Sequence, residues 1–372
     1  MDVLHPASAD DVADMVASAA ARGERLTIRG GGSKDGVGAP SETAVLDMAL
    51  LSGVIDYDPA ELVLTVGAAT PLAEVRALLA GSGQMLAFDP FDHGPLFGKP
   101  SGKATIGGVL AAGVAGSQRL SMGGGRDHLL GFTAVSGRGE LFVAGAKVVK
   151  NVTGYDLPKL AVNSWGRLFA MTQVTLKVVP APRARVTWVA EGLDFADAQR
   201  LMAAAMGSTA EVAAAAYLPG RRRALLRVQG FGPSVEARGQ MLAALGLRPG
   251  NDGECDALRT LAPLPLDRPL WRINAPPSAA PAMMAGLSGD WLADWAGGLV
   301  WLASDQPAGE VRAAAEAAGG HAMLVRGPEA MRRAVAALHP PAAGVAALEA
   351  RIAAAFDPAG VFASPRMTGA VA

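Results

Sequence analysis

The tightest constraint on how this 372-residue chain can fold is where it places glycine. Three clusters crowd the N-terminal third: RGGGSKDG at 29–36, PSGKATIGGVLAAGVAG at 100–116 and MGGGRDHLLG at 122–131. The first directly follows RLTI, a short β-branched run that reads as a strand, so the backbone must turn sharply there and present N–H groups. Bare backbone of this kind suits an anionic oxygen, because no Cβ keeps the ligand away and N–H groups donate to charge. None of the clusters is a standard phosphate motif. G-x-G-x-x-G fails from Gly30, where Asp35 stands at the last position, and from Gly123, where His128 does. A Walker A reading of GKPSGKA fails at Phe97 and Ala104. What remains is a nucleotide diphosphate held mainly by backbone.

Composition removes several other classes. The 33 basic and 34 acidic residues nearly cancel, leaving no field for nucleic acid or an anionic bilayer. The one basic run, Arg221 to Arg223, reads as a solvated hairpin turn. A mean hydropathy of +0.26 reflects alanine more than large side chains, and no uncharged run reaches membrane-spanning length. The acidic start MDVLHPASADDVADMV is unlike a secretory signal, so a cytoplasmic chain is expected, any inner-membrane association coming through partners. Cys255 is the single cysteine and the five histidines are scattered, so neither an iron–sulfur cluster nor a metal site is expected.

The length predicts two or three domains. Residues 1–182 are rich in glycine and short strands. Past the Pro-rich link at 180–182, strands and helices alternate as RVTWVA, FADAQRLMAAAM, EVAAAAYL, RALLRVQ and SVEARGQMLAALG, the order of a ferredoxin-like α+β unit. GLVWLAS, PAGEVRAAAEAAGG and HAMLVR suggest a second such set. The expected division is 1–182, 183–340, and a C-terminal helix and tail, 341–372, returning to the first domain.

The segments RGGGSK, PSGKATIGGVLAAGVAGSQRLSMGGGRDHLLGFTAVSGRGE and KVVKNVTGYDLPKLAVNSWGRLFAMTQVTLKVVP together resemble the FAD-binding domain of the vanillyl-alcohol oxidase and p-cresol methylhydroxylase family. VVKNVTGYDL is similar to the flavin subunits of glycolate oxidases, and LWRINAPPSA at 270–279 points to their smaller, E-type subunit. The resemblance is strong over the first half, moderate over the tail FDPAGVFASPRM and weak between. It implies an α+β fold: a PCMH-type FAD-binding domain of two α+β subdomains followed by a smaller ferredoxin-like cap, with non-covalent FAD between the subdomains.

The resemblance assigns the diphosphate loop to Arg29, Gly30, Gly31, Gly32, Ser33 and Lys34. It gives the second wall of the channel to Thr105, Ile106, Gly107 and Gly108, with Pro100 and Ser101 ahead of them. It places Arg119, Gly124, Gly125, Arg126 and Asp127 at the approach to the flavin's polar edge, and Ala170 and Met171 at the adenine. Lys150, Asn151, Thr153 and Gly154 would supply polar contacts at a strand end, Lys150 beside the N1–C2=O edge. The implied partners are a catalytic flavin subunit, an iron–sulfur subunit and a small 2-hydroxy acid such as glycolate.

Three departures from the family pattern stand out. The histidine-rich substrate motif of related 2-hydroxyacid dehydrogenases is absent. His93 or His128 as base, Arg126, Arg272 or Arg326 as carboxylate partner, and Tyr155 or Lys150 are the remaining catalytic candidates. NSWGRLFA puts Trp165 and Arg167 where the family carries small or acidic residues, and the first loop lacks the histidine used for covalent flavin. Three roles follow: a FAD-binding subunit that acts beside a catalytic one, a self-sufficient flavin dehydrogenase, or a non-catalytic scaffold keeping the fold.

Overall fold

A computed structural model describes residues 2–145, 155–363 and 365–368. The opening helix α1 (Ala9–Arg22) shows how locally the first lobe is specified. Ser8 and Asp11 form a reciprocal cap, Asp11 N–H donating to the Ser8 hydroxyl at 3.1 Å and Ser8 N–H to the Asp11 carboxylate at 3.0 Å. Val12, Val16 and Ala19, at i, i+4 and i+7, make its buried stripe, and Gly23 closes it at φ 66°.

Strands β1 (Val3–Leu4), β2 (Leu26–Arg29) and β3 (Ala44–Asp47) pair in parallel in the order β1-β3-β2. The second subdomain is an antiparallel sheet of β4 (Val54–Asp58), β5 (Val63–Gly67), β6 (Leu129–Ser136), β7 (Leu141–Gly145) and β8 (Phe169–Lys177), in the order β4-β5-β8-β6-β7. Helices α2 (Leu72–Gly81) and α3 (Ile106–Ala111) pack into its core through Leu72, Val75, Leu79, Val109 and Leu110.

The cap sheet runs through β9 (Ala184–Glu191), β10 (Ala214–Leu218), β11 (Arg223–Gly230), β12 (Arg248–Pro249), β13 (Leu270–Asn274), β14 (Asp290–Asp294), β15 (Leu299–Ala303) and β16 (His321–Arg326). Their order is β12-β9-β11-β10-β14-β15-β13-β16. Each half is a β-α-β-β-α-β unit, carrying α4 (Phe195–Met206) and α5 (Gly232–Ala244), then α6 (Ala280–Ala285) and α7 (Ala308–Ala317). The two units fuse edge to edge where Tyr217 pairs with Ala293. The cap is therefore two ferredoxin-like units in one sheet, which closes an edge each would otherwise expose. The Arg221–Arg223 turn joins β10 to β11 with Arg221 and Arg222 exposed, and Arg221 and Arg223 also pair with Glu254.

Helix α8 (Ala343–Phe356) lies mostly on the surface, with Val345 and Leu348 about half exposed, and anchors by its last ring. Phe356 packs on Phe169 and Phe142 at centroid distances of 5.2 and 5.9 Å. The tail then returns to the first lobe, where Leu26 N–H donates to Val361 O and the Arg366 guanidinium to the carbonyls of Val37 and Lys34. Among the described residues no helix is long and apolar enough to cross a membrane, and no group of three or more His, Cys, Asp or Glu could hold a metal ion. Cys255 is buried, its thiol pushed up to about 11 by desolvation, so it is a poor nucleophile.

Candidate functional site

Parallel strands end where ligands commonly bind in α/β folds. The loop leaving β2, Gly30–Lys34, lines one side of a cavity of about 130 Å³, and Thr105, Gly107, Gly108, Ala111 and Ala112 line the other. Among the described residues, the N–H groups of Gly30, Gly31, Gly32, Ser33 and Lys34 find no protein acceptor. Ser33 is buried and its neighbours in the loop are half-buried, and consecutive loop amides left free of protein acceptors form a concave anion nest.

The second wall works differently. The Ile106 and Gly107 amides donate to Thr70 O at 3.0 Å and Ala68 O at 2.8 Å, and Gly108 N–H is capped by the Thr105 hydroxyl at 3.3 Å. This segment offers shape, with its glycines bare toward the cavity, and keeps its donors for the fold. Bare glycine also lets the two walls pack together: a Cβ on Gly31 would fall 1.9 Å from Lys103 O, and one on Gly107 2.7 Å from Ala68 O. Gly32, at φ 75°, takes the left-handed turn that a side chain resists.

Charge follows the same logic. Desolvation brings the Lys34 ammonium down to about 8, with Asp92 opposing the shift. Arg29 is paired with Asp35 at 3.2 Å on the half-exposed rim. Arg366, brought from the far end of the chain, lines the same cavity. Sequence reasoning missed Arg366, whose only signal was the tail's moderate resemblance.

Several expected site residues lie elsewhere. Ile106 and Ala170 are fully buried in hydrophobic cores, whereas the neighbouring Met171 lines the cavity. Pro100 and Ser101 are exposed, and the amides after them, Gly102, Lys103 and Ala104, donate to the Asp92 carboxylate at 2.7, 3.0 and 3.1 Å. Gly124, Gly125, Arg126 and Asp127 do not line the cavity: Gly124 N–H is capped by Asp127 at 2.8 Å, Gly125 packs beside Leu110 and Val162, and Arg126 is exposed. Arg119 stacks on Trp295 with its guanidinium carbon 5.0 Å from the ring centroid. His128 is held by Met122 O at 2.7 Å and depressed by burial, and Tyr155 is 93% exposed, so neither fits a base at this cavity. Arg326 binds the carbonyls of Leu96, Pro265 and Arg268, and Arg167 faces Glu349 on α8. Lys150, Asn151, Thr153 and Gly154 lie outside the described residues.

Trp165 divides the space. Held at φ 57° with its amide on Ala111 O at 2.8 Å, it lines this cavity and also a smaller one beyond it, which contains His93 and Arg272. At about 10–15 Å³ per water-sized group, 130 Å³ admits a diphosphate and part of its sugar. The donor row, the ammonium and the shared wall fit a phosphate-bearing dinucleotide.

The comparisons agree with this geometry. Residues 2–145 match the model of an FAD binding domain. The chain is 35% identical to glycolate oxidase subunit GlcE of Escherichia coli strain K12 over 297 residues, 80% of this chain and 81% of that protein. It is 37% identical to glycolate oxidase subunit GlcD of Bacillus subtilis strain 168 over 95 residues, a quarter of this chain and 20% of that one. Among solved structures, alkyldihydroxyacetonephosphate synthase superposes with a TM-score of 0.63 at 15% identity, covering 96% of this chain and 75% of that one, a likeness of fold alone.

Proposed function

This chain belongs to the FAD-binding (PCMH-type) family, in the branch of the GlcE subunit of glycolate oxidase, and from that premise we propose that it binds FAD non-covalently as one subunit of a complex oxidising glycolate or a similar small 2-hydroxy acid. The observation that carries the reading is the row of unpaired amides from Gly30 to Lys34 beside an ammonium whose charge is poorly solvated. Both are relieved by a diphosphate, whose oxygens accept from the amides and whose charge pairs with the ammonium.

Bound FAD would supply two-electron acceptance from the acid. The chain's own residues do the rest. Gly30–Lys34 bind and orient the diphosphate, Gly107 and Gly108 let it approach, and Arg366 ties the C-terminal tail to the carbonyls of Val37 and Lys34. The cap covers the inner end, where its Arg272, Trp301, Met323 and Val325 help line the smaller cavity. It is latched to the first lobe by Ser117 to Asp294 at 2.6 Å, Ser121 to Ala213 O at 2.7 Å and Gln229 to Gln118 at 2.7 Å.

The expected partners are a second flavin subunit and an iron–sulfur subunit, because this chain has one buried cysteine and so no cluster ligands to pass electrons on. The largely exposed, alanine-rich α8 supports residence in an assembly. The test is visible absorption of the purified chain followed by anaerobic glycolate. A flavin spectrum that bleaches only when the partner subunits are present supports the subunit reading. Bleaching by the lone chain replaces it with a self-sufficient dehydrogenase, and a colourless chain that still restores assembly replaces it with a scaffold.

A further inference from the structure

Behind Trp165, between the lobes, lies a cavity of about 30 Å³ whose lining includes Phe91, His93, Asn163, Trp165, Arg272 and Trp301. Its polar groups are out of balance. Arg272 projects from β13, and no carboxylate among the described residues pairs with it. Among the described residues its guanidinium donates to the neutral Asn274 Oδ1 at 2.8 Å and lies 5.3 Å from the centroid of Trp295. Arg119 sits over the same ring, so the nearest charge is another cation. Burial and Arg119 bring the Arg272 guanidinium down to about 10.

His93 is 6% exposed and stacked on Phe91 at 4.8 Å, with its Nδ1 lacking any partner, and Trp165 Nε1 is likewise unpartnered. Desolvation first, then Lys34 and, more weakly, Arg272 hold His93 well below its ordinary range against an opposing backbone hydrogen bond with Phe91, so the ring is neutral and meets a ligand without bringing charge. A guanidinium without a carboxylate partner and two buried ring nitrogens without a hydrogen bond, gathered around one small space, make a donor set suited to an anion.

We propose that this cavity is a binding site for a small carboxylate, with Arg272 as its cationic anchor and His93 and Trp165 as neutral hydrogen-bond partners. A carboxylate head is planar and takes two parallel N–H donors from a guanidinium. At about 10–15 Å³ per water-sized group, the cavity holds that head and little more. Ala112 and Trp165 line both cavities, so the carboxylate would lie against the inner end of a dinucleotide threaded from the first. This deepens the reading above and rests on it for the link to turnover, but the carboxylate site can be tested without flavin.

Oxalate, an unreactive small dicarboxylate, is titrated calorimetrically into the flavin-free chain and, by difference spectrum, into the FAD-loaded chain. Saturable binding is expected. Arg272→Met should weaken it by about 10- to 100-fold, the factor carried by one charge-assisted contact. Arg272→Lys should retain part, and Arg200→Met, at an exposed position, should change nothing. His93→Gln gives a second, uncharged probe of the same cavity should Arg272→Met fail to fold.

Absence of saturable binding in both forms, or binding equally tight in Arg272→Met, overturns the site. An Arg272→Met chain that loses FAD while still binding oxalate overturns it too, assigning the guanidinium to the flavin. If the chain takes up no FAD yet binds oxalate through Arg272, the carboxylate site stands and the dinucleotide reading falls.

Discussion

Trp295, at the end of a cap strand, donates its indole N–H to the carbonyl of Gly116 in the first lobe at 3.0 Å. The residue is buried and held at φ 53°, with Ala296 following at 54°, two consecutive left-handed residues that cost strain unless the surroundings fix them. Its ring also carries Arg119 on one contact and Arg272 on another, so a single side chain joins the lobes and seats the cation of the inner cavity. Trp295→Phe should keep the ring packing and lose the hydrogen bond, leaving Gly116 O with the Arg119 amide alone, at 3.2 Å. The expected loss is about 0.5–1.5 kcal/mol of stability, read by urea denaturation, with looser closure of the cap. An unchanged midpoint would remove the latch from this account.

Asp294 makes the neighbouring latch, accepting from Ser117 at 2.6 Å and from Trp295 N–H at 2.8 Å. Burial nevertheless pushes its carboxyl up from 3.8 to about 6. The folded state therefore binds the proton more tightly than the unfolded one. Between pH 4 and 6 that proton's stabilisation is lost as pH rises, by up to about 3 kcal/mol for a shift of this size. Asp294→Asn should flatten the stability profile in that window and leave the chain more stable at pH 7. Parallel profiles for the two proteins would show that Asp294 is not the group titrating.

Lys34 has the opposite sign. Its folded value, about 8 against 10.5, means the empty protein sheds a proton that a bound diphosphate would restore. Calorimetry of FAD binding in buffers of different ionisation heats should show proton uptake at pH 8.5, absent at pH 6.5, with affinity falling as pH rises above 8. Lys34→Met should abolish the uptake. Uptake that persists in Lys34→Met would place the proton on another group.

Glycine substitution tests the loops separately. Gly107→Val and Gly31→Val should each remove bound flavin, because each new Cβ strikes backbone across the wall, at Ala68 O or Lys103 O, and pushes the walls out of register. The effect acts through loop position and not by filling the ligand path. Full flavin content in either variant contradicts the arrangement. Circular dichroism should show the cap intact.

The loops were legible in the sequence because glycine is a backbone signal. A turn that needs φ 75° at Gly32 or an uncrowded Gly107 prints itself locally, and so did the Ser8 cap and the period of the cap helices. Placement of the remaining site residues was not legible, because long-range packing decides it. Ala170 and Met171 are adjacent on β8, and strand alternation turns one into a core and the other into the cavity. The GGRD glycines resemble an anion loop but are consumed by the Asp127 cap. Arg366 and Trp295 reach partners 329 and 179 positions away, and no local pattern marks them. The fusion of two ferredoxin-like units rests on one strand pairing at Tyr217 and Ala293, which neither segment announces alone.

The central claim is that the amides of Gly30 to Lys34 hold a diphosphate. Parallel equilibrium titrations of the flavin-free chain with FAD and with riboflavin, which shares the ring and lacks the diphosphate, test it most directly. FAD is predicted to bind at least about 1000-fold more tightly, the worth of two or three charge-assisted hydrogen bonds, and to be displaced by ADP. Equal affinity for the two flavins, or binding of neither, would contradict it.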